Sequence, residues 1–185
     1  MAASLSGCAS ASSTQARPLA PTTENLPDLK RYDVVRVTPF VPAPGSDISR
    51  SVGELFARNI FYRLKNDFGG LFKEVVYGNT YPSAAGDGGQ SVTNELVISG
   101  TVLKYHPGSR LGRRWLGLPM FFSDFTAEVV LRDGTTGETL LSAPLGSFWA
   151  WAGLLGEVKG IEDHMEDCAA SIANTVARLK GWKPK

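Results

Sequence analysis

The sequence predicts an α+β domain: a mainly antiparallel sheet with two helices packed on one face, in the order β-α-β-β-β-β-α. Three observations carry that prediction. Glu95 to Tyr105 (ELVISGTVLKY) is a long, mostly apolar stretch that reads as a central strand. Phe125 to Arg132 (FTAEVVLR) alternates with period two, so one sheet face is wet. Ile161 to Lys180 repeats apolar residues at spacings of three and four, the signature of an amphipathic helix.

The remaining elements follow in order. Tyr32 to Phe40 is rich in β-branched residues and is expected to be strand one. Val41 to Asp47 is a Pro/Gly loop, and Ser46 or Asp47 is expected to cap a helix. The face of that helix is Ile48, Val52, Leu55, Phe56, Ile60 and Leu64; it ends near Asn66, and Gly69-Gly70 closes it. Phe72 to Tyr77 is strand two, and Gly78 to Asn94 is loop. In strand four, Phe125, Ala127, Val129 and Leu131 face one way, with Thr126, Glu128 and Arg132 opposite. The run Asp133-Gly-Thr-Thr-Gly-Glu138 is a hairpin turn, and Thr139 to Trp149 is strand five. The buried stripe of the last helix is Ile161, Met165, Cys168, Ala169, Ile172, Val176 and Leu179. Its acids come first, Arg178 and Lys180 come last, and Gly181 is the expected C-cap.

With 185 residues and 43% apolar content the chain can build one domain with a core. A net charge of +1 leaves no electrostatic footprint for nucleic acid. No apolar run approaches the roughly 20 residues of a membrane-spanning helix. The two cysteines, Cys8 and Cys168, fall in the leader and in a helical pattern, which argues against a disulfide.

Leu5-Ser6-Gly7-Cys8 resembles the bacterial lipobox: an apolar residue, two small residues, then the cysteine whose thiolate takes a diacylglyceryl group. Residues 1–8 read as the remnant of a lipoprotein signal. A Ser/Thr/Ala/Pro segment over residues 9–29 follows, too poor in apolar residues to order itself. As a flexible coil of about 20 residues it reaches roughly 25 Å. Residues 30–185 form the single α+β domain. Ala9 and Ser10, rather than aspartate, follow the cysteine; by resemblance to Gram-negative lipoproteins this implies the periplasmic face of the outer membrane.

Strand direction brings two unusual loops together. If strand three, Glu95 to Tyr105, runs up, His106 to Ser123 lies at the top, and strand five delivers Trp149 to Gly156 to the same end. The first loop holds Arg110, Arg113 and Arg114 beside Trp115 and Leu116; the second holds Trp149, Trp151 and Leu154. Tryptophan and arginine dominate binding hot spots, and a contiguous apolar patch marks a contact surface. The same residues can instead fold inward and extend the core, or line a small-molecule pocket.

Chemistry-bearing motifs are few. His106 and His164 have no cysteine or carboxylate cluster at metal-ligand spacing around them. Glu162, Asp163, Glu166 and Asp167 around His164 read as a solvated acidic face. No nucleophile elbow, P-loop or dinucleotide fingerprint follows a strand. No metal, cofactor or nucleic acid is implied.

From Leu96 to Leu179 the pattern resembles bacterial envelope lipoproteins named only as a domain of unknown function. The residues carrying the likeness are GSRLGRRWLG, the D-x-x-T-G turn inside FTAEVVLRDGTTGETL, and the Ala-rich helix CAASIANTVARLKG. YDVVRVTPF and the helix after it fit the same family. Its layout is similar to that of the curli-secretion channel subunit and the outer-membrane activators of peptidoglycan synthases, which are structural or partner-binding proteins. The chain lacks an obvious pair of long amphipathic hairpins, so no pore is expected. The resemblance implies a lipid-anchored, non-enzymatic module that binds another envelope protein or itself, reaching the membrane through lipid on Cys8. A small-ligand-binding or enzymatic domain, or a subunit of a homo-oligomeric envelope complex, are the alternatives.

Overall fold

A computed structural model describes residues 26–78, 94–108, 123–148 and 160–183, and these described residues form six strands and two long helices. The order is β1 (Val34–Val37), β2 (Val41–Pro42), α1 (Arg50–Phe68), β3 (Glu74–Tyr77), β4 (Glu95–His106), β5 (Asp124–Asp133), β6 (Thr139–Phe148) and α2 (Ile161–Lys180). The sheet runs β3-β1-β4-β5-β6, with β2 pairing β4. The long ladders β4–β5 and β5–β6 are antiparallel. β1 pairs in parallel with both β3 and β4, so the sheet is mixed. A parallel pair needs a crossover connection, and α1 is the crossover from β1 to β3.

Strand one is broken where a single run was expected. Pro39 ends the first piece, and the chain pairs again at Val41 and Pro42, inside the stretch expected to be loop. Phe40, between the pieces, is buried and meets the Phe56 ring edge-on at 4.9 Å; Phe56 in turn meets Phe125 at 4.7 Å. Gly53 and Gly100 make room for this wedge. A methyl on Gly53 would collide with the Phe40 carbonyl, and one on Gly100 with Glu128 and the Phe40 ring.

α1 starts later than expected. Ser46 instead closes the preceding turn, its Oγ donating to the Ala43 carbonyl at 2.7 Å. Ser49, in extended backbone, is the N-cap and accepts from the Ser51 N–H at 3.3 Å. The helix runs two residues past Asn66 and tightens into a 3-10 turn at Gly69–Leu71. Val52, Phe56, Ile60 and Leu64 are buried as expected, but Leu55 is exposed. Its neighbours three and four residues on are Arg58 and Asn59, which share its outward side. α2 has the expected bounds, and Gly181 takes the left-handed conformation at φ 108°.

β5 buries Phe125, Ala127, Val129 and Leu131 beneath the helices and turns Thr126, Glu128 and Arg132 away. β6 carries Pro144, which has no N–H to donate, and it lies at the sheet edge where that is tolerated.

Candidate functional site

The two ends of the sheet are built differently. At the hairpin end, Asp133 is buried and fully engaged. Its Oδ1 accepts from the N–H groups of Thr135 and Thr136 at 2.8 and 2.9 Å. Its Oδ2 accepts from the Tyr32 hydroxyl at 2.8 Å and the Arg31 guanidinium at 2.7 Å. The Thr136 N–H, more than any other partner, holds the Asp133 carboxyl below its ordinary pKa. Burial pushes the Tyr32 phenol above its own. The D-x-x-T-G motif is thus a turn-building device: aspartate orders the backbone, and Gly137 supplies a φ of 73°.

The N-terminal segment docks at this same end. Leu29 is fully buried, and its N–H donates to the Leu179 carbonyl at 3.2 Å. Lys180 reaches back to the carbonyls of Lys30 and Tyr32 and lies over the Phe72 ring.

At the opposite end, three strand termini stand side by side. His106 pairs with Asp124, and Asp124 pairs with Phe148. Lys104 bridges to Asp124 at 2.6 Å. A β-bulge between Val102 and Lys104 turns Leu103 out to solvent. Ser123, just before β5, is buried, and its Oγ lies 3.0 Å from Nε2 of His164 in the first turn of α2. The chain therefore leaves after Gly108 and returns at Ser123, then leaves after Phe148 and returns at Gly160, all at one end. Asp163 fixes the second return by accepting from the Gly160 N–H at 2.6 Å.

The roots of both predicted loops thus converge. The predicted contact residues themselves, Arg110, Arg113, Arg114, Trp115, Leu116, Trp149, Trp151 and Leu154, lie outside the described residues, as does Cys8. Sequence reasoning missed Ser123 and His164. In sequence His164 stands among exposed acids, yet it is fully buried. Its position three after Ile161 and four before Cys168 places it on the apolar stripe, and that spacing was the available signal.

Cys168 is buried, and burial pushes its thiol up to about 12, so it is an inert core group. Among the described residues, no group of three or more His, Cys, Asp or Glu side chains could hold a metal. No described helix is long and apolar enough to cross a membrane.

No family model matches the sequence, and no curated protein matches it. Solved structures do share the fold. A PelC dodecamer from Paraburkholderia phytofirmans (space group P6) aligns with a TM-score of 0.57 at 16% identity, over 82% of this chain and 92% of that one. A variant PelC dodecamer from the same organism (space group C2) gives 0.52 at 15% identity, over 82% and 92%.

Proposed function

We propose that the chain is a lipid-anchored lipoprotein on the periplasmic face of the outer membrane. It serves there as a non-enzymatic assembly module, and copies of itself are among its partners. The observation that carries this reading is the convergence of two chain exits and two returns at one end of the sheet, where His106, Asp124 and Phe148 stand in register. Two segments spring from that end, one rich in arginine and leucine beside Trp115 and the other rich in tryptophan and leucine. Arg110, Arg113 and Arg114 supply directional hydrogen bonds, and Trp115, Leu116, Trp149, Trp151 and Leu154 supply area.

Two further facts support it. Leu5-Ser6-Gly7-Cys8 has the lipobox pattern, and the N-terminal segment enters at the hairpin end, far from the loop roots. A leash attached there leaves the loop end free to meet a partner. PelC, which shares the fold, is found as a dodecamer, so this framework is compatible with many-subunit assembly.

The test is light scattering on the full chain in non-ionic detergent, together with a Trp115→Ala/Trp151→Ala variant. The wild type assembles beyond a dimer and the variant does not. Identical masses for the two would remove the loop end from the reading. Metabolic labelling with a clickable fatty acid checks the anchor: label on the wild type and none on Cys8→Ser.

A further inference from the structure

Two chain exits and two returns stand at the loop end, and the sheet fixes three of these four roots. The exit of β4 at His106 is paired with Asp124, at the return into β5. Asp124 is paired in turn with Phe148, at the exit of β6. Ladder bonds hold these three against one another, and Lys104 adds its ion pair to Asp124. The fourth root, the start of α2, belongs to the helix layer and has no place in the ladder. Ile161 and Met165 pack it onto the core, but apolar packing is non-directional and does not by itself set where a helix end sits.

The Ser123–His164 contact supplies the missing direction. Oγ of Ser123 lies 3.0 Å from Nε2 of His164, and both residues are fully buried. Each partner is held on its own element. Ser123 precedes Asp124, which the ladder fixes on both sides. His164 donates its backbone N–H to the Gly160 carbonyl at 3.3 Å, and Asp163 accepts the Gly160 N–H at 2.6 Å, so the imidazole rides on a closed helical turn. Because both groups are buried, solvent does not replace the bond when it breaks. Full burial also leaves neither atom open to a substrate, so the pair does not read as a nucleophile and its base.

We propose that Ser123 and His164 are positioning residues whose bond couples the returns of the two loops, so that the loop end behaves as one unit. A displacement at the start of β5 is carried to the start of α2, and the reverse. A contact surface assembled from two chain segments is preorganised only when their roots keep a fixed relation; otherwise each segment must be ordered separately on binding. The coupling itself follows from the geometry of the four roots. Its consequence for assembly rests on the contact reading above.

The experiment is native-state hydrogen exchange of the full chain in non-ionic detergent, read residue by residue. Ser123→Ala speeds exchange about fivefold at the start of β5 and, together with it, at the His164 amide. The Thr135 and Thr136 amides, held by Asp133 at the other end, stay within about twofold of the wild type. His164→Leu gives the same two-sided effect, and Ser123→Ala/His164→Leu adds no more than about twofold to either single variant. His164→Gln, whose amide reaches the Nε2 position, keeps wild-type rates. A response confined to the altered element, an equal rise at the hairpin end, or a double variant equal to the product of the singles overturns the proposal; Ser123→Ala alone decides it if His164→Leu does not fold. Light scattering separates the two readings. Coupled exchange with a Trp115→Ala/Trp151→Ala chain of wild-type mass keeps the coupling and removes the contact reading. One-sided exchange with that chain losing mass keeps the contact and shows the loops acting independently.

Discussion

The hairpin end and the loop end of the sheet share three strands but not a design. At the hairpin end a five-residue turn closes on a buried aspartate, and tyrosine, arginine and lysine side chains tie the N-terminal segment and α2 to it. At the loop end the connections between strands are longer. There the described structure provides footings: one ion pair, one bulge and a buried Ser123–His164 contact. Density of polar ties at one end and long apolar connections at the other divide the labour. One end holds the fold, and in the proposed reading the other is the contact surface. Loops carry function because a rigid scaffold presents them.

Substitutions can break or sharpen this contrast. The largest effect belongs to neither end. Phe56 links Phe40 to Phe125 through the shared core, and Phe56→Ala is expected to cost about 3–5 kcal/mol in urea unfolding. Asp133→Ala comes next. It leaves the buried Tyr32 hydroxyl and two turn N–H groups without their acceptor, at about 2–3 kcal/mol, with assembly unchanged in the folded fraction. Its pH signature has a definite sign. The Asp133 carboxyl is held below its ordinary pKa, so its stabilisation is complete above about pH 4 and is lost as pH falls through the lower folded value. Wild-type stability should therefore drop on acidification more steeply than that of Asp133→Asn, as urea melts at a series of pH values will show.

Ser123→Ala is smaller, about 1 kcal/mol for one buried hydrogen bond. Because that bond joins the returns of both loops, the variant should disturb assembly more than Asp133→Ala does, despite its smaller effect on stability. The smallest effect is chemical. In a Cys8→Ser background, the native Cys168 thiol should resist alkylation at neutral pH and react only on unfolding, as mass spectrometry reads directly.

Much of the fold was legible because it rests on periodicity. The alternation of Phe125 to Leu131, the stripe from Ile161 to Val176 and the left-handed Gly181 each follow from local rules. What was not legible depends on distant chain segments. The parallel pairing of β1 with β4 leaves no mark in either strand alone. Leu55 fits an apolar spacing, but the direction of the neighbouring helix decides whether it faces the core. Gly53 and Gly100 matter only because Phe40, far from Gly100 in sequence, packs against them. Asp133 was read as a turn residue, which it is; its second role, as acceptor for Tyr32 and Arg31 about a hundred residues earlier, has no local signal. At the loop end, strand direction alone brought the two loop roots together, while the buried Ser123–His164 contact beneath them passed unnoticed among the flanking acids.

The division between a holding end and a contacting end is tested most directly by comparing two variants in one light-scattering experiment. Full-length Trp115→Ala/Trp151→Ala should melt within a few degrees of the wild type and fall to dimer or monomer. Asp133→Asn should melt lower and keep the wild-type mass while folded. A tryptophan variant that retains the full assembly, or an aspartate variant that loses it while still folded, would contradict the assignment.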